Sequence, residues 1–391
     1  MIWEELDGKL AALEHDNLRR RRRVVDSPCD TRMTVDGREM LAFCSNDYLG
    51  LAHHPQIIAA LCEGARRWGA GSGAAHAVSG HLRPHQQLED ALASFVAEFF
   101  DNPRALVFST GYLANLGIVA ALVGRGDAVF ADRLNHASLI DAAIASGAEH
   151  KRYAHGDVAA LRDLLEQSTA KRKLILTDAV FSMDGDIAPL PDLFALAEEH
   201  DAWLVIDDAH GFGVLGQHGR GSLSHCKLPG SKRVIYMGTL GKAAGVAGAF
   251  VAGAGEVIEW LQQKSRTALF TTAHPPAISC AVLASLELIA AGDALRRVLN
   301  QRIAQLRNAL APVVARRGWQ LGASQTAIQP LIVGSNQAAL DLSAALEQAG
   351  IWIPAIRPPT VPPGSARLRI TVCATHSEAD IATLVTALSN A

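Results

Sequence analysis

The chain has little that would tie it to a membrane, to a nucleic acid or to an oxidising compartment. Its six cysteines, Cys29, Cys44, Cys62, Cys226, Cys280 and Cys373, are scattered, and none stands in a CxxC pair. Neither a zinc site nor a disulfide framework is therefore indicated, and reduced thiols in a cytoplasm are expected. An excess of one charge is also missing: 36 basic against 39 acidic residues give a formal net charge of -3. That balance supplies no general pull toward nucleic acid or anionic lipid, and Arg19 to Arg23 is the only basic cluster. Long apolar runs are lacking too, since the window Ala277 to Ala291 is shorter than a membrane span and contains Glu287. The first residues carry Glu4, Glu5 and Asp7 where a secretory signal carries bases, and no apolar segment follows, so export is not expected. No internal repeat or low-complexity tract is evident.

What is present describes a well-packed chain of 391 residues, 49% hydrophobic and 19% charged, long enough for two domains around a large core. Trp3, Leu6, Leu10 and Leu13 recur at helical spacing and predict an amphipathic helix ending in the arginine run. Met33 to Phe43 reads as a short hairpin turning at Asp36 and Gly37. From about Pro84, helical patterns alternate with apolar runs at 105–108, 127–130, 174–177, 203–206 and 234–237. Such alternation predicts an α/β fold with a mostly parallel sheet and helices on both faces. Beyond a helix starting near Pro275 and Pro276, strand candidates at 329–333, 351–354 and 367–372 predict a smaller α+β domain. The expected division is an arm at 1–45, a large domain at 46–275 and a small C-terminal domain at 276–391. The proline-rich Arg357 to Gly364 reads as a shaped loop between two strands.

The residues suited to chemistry lie where these strands end. Lys242 stands between Gly241 and Ala243 in the run Thr239 to Gly245, among residues too small to shield it. Ser109, Thr110, Gly111 and Tyr112 follow a strand and open a helix, where free N–H groups and a helix dipole suit a phosphate; the same geometry serves a simple cap. Asp207, Asp208 and His210 follow the strand at 203–206, at the edge where open α/β sheets bind ligands. A buried carboxylate there can pair with a pyridinium nitrogen. A metal is the competing reading, but no third ligand lies at suitable spacing; Asp208 is also the kind of residue that caps a turn. His136 and Ser182 follow two further strands and can reach the same edge. Two nucleotide motifs fail: Gly69 to Gly73 lacks GxGxxG spacing inside a βαβ unit, and Ala243 stands where a P-loop needs Ser or Thr.

Ser45 to Gly50, Phe181 to Asp186, Asp207 to Gly211 and Thr239 to Lys242 occur in an order and spacing that resembles the α-oxoamine synthases, a family of fold-type-I pyridoxal 5'-phosphate enzymes. The likeness extends from the arginine run to Arg367 to Thr371. It implies a fold-type-I transferase in which Lys242 holds the cofactor as a Schiff base, Asp207 meets the ring nitrogen and His136 stacks on the ring. Ser182 and His210 would bond the phenolic oxygen, with Thr110, Gly111, Tyr112 and Thr239 near the phosphate. Arg20 and Thr360 match substrate-contacting positions, although five consecutive arginines leave the register of Arg20 open by one. Asn46 and Arg369 match positions near the amino-acid carboxylate. Ala327 to Gly334 and Ala355 to Gly364 are similar to the members that join L-alanine to a pimeloyl thioester of coenzyme A or acyl carrier protein in biotin synthesis. Members using glycine or serine, or an aminotransferase, are the alternatives. The family implies a homodimer, with Thr271 and Thr272 reaching the partner's phosphate.

Overall fold

The computed structural model describes residues 2–391. Its larger unit comprises residues 49–182 and 187–296. At its centre is a seven-stranded sheet with the strand order 103–108, 249–254, 234–239, 202–207, 173–178, 128–132, 149–153. Six strands run parallel; Ala249–Ala254 is antiparallel to both its neighbours. The five apolar runs of the sequence are all strands, each extended by one or two residues or shifted by about one, and the sheet is the mostly parallel one the alternation requires.

Strands 128–132 and 249–254 are buried along their whole length, as befits a sheet covered on both faces. Leu174, Leu176, Val205 and Ile235 pack on one face with Ile118, Val119, Leu139 and Leu261 from helices Gly111–Leu122, Ala137–Ser146 and Gly255–Lys264. Helices Arg83–Phe95, Val158–Glu166 and Leu190–Glu199 pack against the strands as well. At about 1.5–3 kcal/mol for each buried Val, Leu or Ile, this core holds the carboxyl ends of the strands rigidly.

The smaller unit comprises residues 2–48, 183–186 and 297–391, so that residues 2–45 group with the C-terminal part and residues 276–296 with the larger unit. It holds a four-stranded antiparallel sheet, 320–321, 328–334, 366–371 and 355–356, and a three-stranded sheet in which the hairpin Arg32–Val35 and Arg38–Ala42 is joined in parallel by Ile351–Trp352. The hairpin turns at Asp36 and Gly37, both at positive φ. The N-terminal helix, Ile2–His15, stops four residues before the arginine run instead of ending in it. Asn17 at φ 56° turns the chain, and the Leu18 and Arg19 N–H groups both donate to the Leu13 carbonyl, closing the helix end. No single helix among the described residues is long and apolar enough to cross a membrane.

Candidate active site

Five of the six parallel strands of the larger unit end in sequence at Phe108, Asp132, Asp178, Asp207 and Thr239, and the segments that follow carry Thr110, His136, Ser182, His210 and Lys242. A cavity of about 190 Å³ opens at this edge, lined by Gly111, Tyr112, His136, Asp207, His210, Thr239 and Lys242 together with Ser138, Asp178, Ala209 and Met237. Strand pairing sets the spacing, because Asp178 lies opposite Asp207, and Asp207 opposite Met237.

Asp207 is 4% exposed. Its Oδ1 accepts the Ala209 N–H at 3.0 Å, and its Oδ2 accepts an Asn115 side-chain N–H at 2.7 Å. The other amide hydrogen of Asn115 goes to Ser138 Oγ at 2.9 Å, and Ser138 Oγ lies 2.8 Å from His136 Nδ1. His136 caps helix Ala137–Ser146: its Nδ1 accepts the Ser138 N–H at 3.2 Å. Its own N–H donates to Asp178 Oδ2 at 2.6 Å. Burial lowers the proton affinity of the His136 ring and Lys242 lowers it further, while Asp207 and Asp141 oppose this. The ring is thus biased toward its neutral form.

Three carboxyl groups sit close together here with different roles. Asp178 is pushed well above the ordinary carboxylate range by burial and by the charge of Asp207, which favours its protonated form. Asp208, fully buried, accepts the Ser222 N–H and the Tyr236 hydroxyl, each at 2.7 Å, and ties the following loop to the sheet. Burial lifts its carboxyl to about 7 despite those donors. Asp208 is therefore the structural member of the pair and Asp207 the one that faces the cavity.

Lys242 sits in a tight turn. The Gly245 N–H donates to its carbonyl at 2.8 Å, and Val246 N–H to Leu240 O at 2.9 Å. Gly245 takes φ +69°, and a Cβ on it would lie 2.5 Å from Ala52 N and 2.6 Å from Leu51 C, so no other residue fits. The Lys242 Nζ projects to 3.0 Å from His210 Nε2. Thr110 proves to be the cap of helix Gly111–Leu122, its Oγ1 accepting Leu113 N–H at 3.2 Å, while Thr239 Oγ1 donates to Gly248 O at 3.2 Å. The Tyr112 hydroxyl donates to Asp141. Ser182 is half-buried in the loop closed by the Val180–Ile187 bridge. Thr272 is exposed and its backbone pairs with Ala75.

In the smaller unit, Arg369 is 8% exposed, and its guanidinium donates to Asn46 Oδ1 at 3.2 Å and Thr371 Oγ1 at 3.0 Å. The Tyr48 hydroxyl also donates to Asn46 Oδ1, at 3.2 Å. Arg20 donates to Thr360 Oγ1 at 3.1 Å beside a small cavity of about 40 Å³ that Arg357 also lines. Its neighbours are used otherwise: Arg19 and Arg21 bridge to Glu14, and Arg23 to Asp36 and Glu347. Of these four arginines, Arg20 is the one that meets Thr360. Arg367, which sequence reasoning passes over, pairs with Asp184 at 2.6 Å.

Asn115 and Ser138 were also beyond the motifs. The available signal was a lone amide in the apolar helical run Leu113 to Val119, which a core helix tolerates only if it is hydrogen-bonded. The whole donor set suits pyridoxal phosphate: a lysine amine, a buried carboxylate for a ring nitrogen, an imidazole on the cavity wall, and a capped helix start for a phosphate.

The family model for aminotransferase class I and II matches residues 38–388. The chain is 62% identical to the 8-amino-7-oxononanoate synthase of Dechloromonas aromatica (strain RCB), covering 99% of each chain, and 59% identical to that of Herminiimonas arsenicoxydans, covering all of both. Among solved structures, a serine palmitoyltransferase from S. paucimobilis with bound PLP–myriocin aldimine superposes with a TM-score of 0.89 at 28% identity, over 99% of this chain and 96% of that one. The chain therefore belongs to the aminotransferase class I and II family of fold-type-I enzymes and, within it, to the 8-amino-7-oxononanoate synthases among the α-oxoamine synthases.

Proposed function

We propose that the protein condenses L-alanine with a pimeloyl thioester, of coenzyme A or acyl carrier protein, giving 8-amino-7-oxononanoate, carbon dioxide and free thiol for biotin synthesis. The observation that carries this reading is Lys242 Nζ at His210 Nε2, in one cavity with Asp207 and His136. Pyridoxal phosphate supplies an aldehyde that condenses with amines and a ring that draws electrons from the α-carbon of an amino acid. Everything else is done by the chain.

Lys242 would hold the cofactor covalently between turnovers, and its freed amine would take the α-proton of alanine and later return one to the product. Asp207 would face the ring nitrogen and keep it protonated. His136 would lie against the ring, Ser182 and His210 would hold its phenolic oxygen, and Thr110, Gly111, Tyr112 and Thr239 would surround the phosphate. Asn46 and Arg369 hold the alanine carboxylate, and Arg20 with Thr360 the distal carboxylate of the acyl chain, work for which a planar guanidinium is suited. Loss of carbon dioxide after the carbon–carbon bond forms makes the sequence irreversible.

The working form is a homodimer in the cytoplasm, in which Thr271 and Thr272 reach the partner's phosphate. The exposed Phe270 and Thr272 and the unpaired thiols support this. The test is mass analysis of products from purified protein, a pimeloyl thioester and, separately, alanine, glycine or serine. Aminoketone and carbon dioxide from alanine are expected. Product from glycine alone overturns the substrate assignment, and multiple turnover by Lys242→Ala overturns the role of Lys242.

A further inference from the structure

Resting on the reading above, we propose that Asn115 is a positioning residue that acts through the Ser138 hydroxyl to strengthen the hydrogen bond at His136 Nδ1 in the Nε2–H tautomer and to couple that ring to the Asp207 carboxylate. The tautomer follows from the donors. A backbone N–H can only donate, so the Ser138 N–H at 3.2 Å makes His136 Nδ1 an acceptor, and the proton of the neutral ring sits on Nε2. The Ser138 hydroxyl can give its hydrogen to Nδ1 at 2.8 Å because its own oxygen is already receiving one from Asn115. Asn115 thus sets the direction of the Ser138 hydroxyl.

Asp207 in turn sets the direction of Asn115. Turned over, the amide would point its oxygen at a carboxylate oxygen 2.7 Å away. Both Asn115 hydrogens are spent on site residues, and its Oδ1, although buried, meets no hydrogen-bonding group of the protein. A side chain selected only to knit a core would have that oxygen satisfied or would be apolar, like its helix neighbours Ala114, Ile118 and Val119. Asn115 also lies one helical turn after Gly111, which lines the cavity. Asp207, Asn115, Ser138 and His136 form one continuous chain of hydrogen bonds, joining the group that would face the ring nitrogen to the one that would lie against the ring.

The charged and titratable groups facing His136 are Asp207, Asp141, Asp178 and Lys242, and none of them can replace the Ser138 hydroxyl at Nδ1. The test uses cofactor-loaded full-length protein carrying ¹⁵N-labelled histidine, with the His136 signals identified by their loss in His136→Asn. Wild type is expected to show an unprotonated Nδ1 and a protonated Nε2; Asn115→Leu and Ser138→Ala should keep that tautomer, which the Ser138 backbone N–H still holds, but with the Nδ1 signal moved downfield as the shorter hydrogen bond weakens or is lost. In parallel, kcat should fall about 10- to 100-fold in Asn115→Leu and less in Ser138→Ala, with the KM for alanine within about threefold of wild type. The double variant should be no slower than Asn115→Leu, because the two act in series. An unchanged ¹⁵N pattern in Ser138→Ala, or losses that multiply in the double variant, overturns the proposal. Should Asn115→Leu fail to fold, Ser138→Ala carries the same test. The tautomer is read without turnover, so absence of ketone product in wild type counts against the proposed reaction and leaves this result standing on its own.

Discussion

Gly245→Ala should damage the protein through one methyl group. Gly245 closes the turn that presents Lys242, at φ +69°, and the new Cβ would lie 2.5 Å from Ala52 N and 2.6 Å from Leu51 C. Both are backbone atoms, which cannot rotate aside. The left-handed conformation costs a residue with a Cβ about 1–2 kcal/mol. Forcing an extra methyl into packed surroundings adds about 1–3 kcal/mol. The control is Gly126→Ala, at φ +88° with no atom within 4 Å of the added Cβ, where only the conformational cost applies. Any change in the unfolded chain is common to both substitutions and cancels. Urea unfolding of the two variants at equal protein concentration should differ by about 1–3 kcal/mol, with Gly245→Ala the weaker. Because the strain falls on the lysine turn, Gly245→Ala should also incorporate pyridoxal phosphate more slowly, read as borohydride-trapped adduct at Lys242. Equal stabilities would refute the argument that this glycine is demanded by backbone contact.

Arg20→Ala should raise the KM for the pimeloyl thioester about 10- to 100-fold, as removal of a charged hydrogen bond of about 1.5–3 kcal/mol does, while the KM for alanine stays put. Steady-state kinetics with each substrate varied in turn checks this. The Asp208 carboxyl stands at about 7 in the fold against an ordinary 3.8, so the folded chain keeps a proton that the unfolded chain gives up. The stability this contributes is complete below about pH 4 and is lost as pH rises through about 7. Asp208→Asn, which cannot ionise, should flatten that part of the profile, measured as urea midpoints at pH 5 and pH 8.

Much of this molecule is legible from one dimension. The strands that end at the site are buried on both faces, so they stand out as short apolar runs, and the polar residue after each run is where ligand chemistry belongs. Where burial does not mark a strand, the pattern is silent. Glu149–Tyr153 is an edge strand made of Glu, His, Lys, Arg and Tyr, and Ala249–Ala254 is mostly alanine and glycine, without β-branched alternation to announce it. The N-terminal helix was foreseeable from Trp3 to Leu13, but its end depended on Asn17 adopting a left-handed conformation.

Lys242, Asp207, His136 and His210 could be picked out as chemical groups from their neighbours along the chain, because small residues, strand ends and turns are local features, whereas Arg369 was marked only by the family resemblance. Which of those groups touch was settled by folding. Asn115 reaches Asp207 across 92 positions, Arg20 reaches Thr360 across 340, and Asp178 stands beside Asp207 through strand register. Such partners are chosen by the pairing of distant strands and the packing of helices on them, and a hydrogen bond made that way leaves no periodic trace in the order of residues.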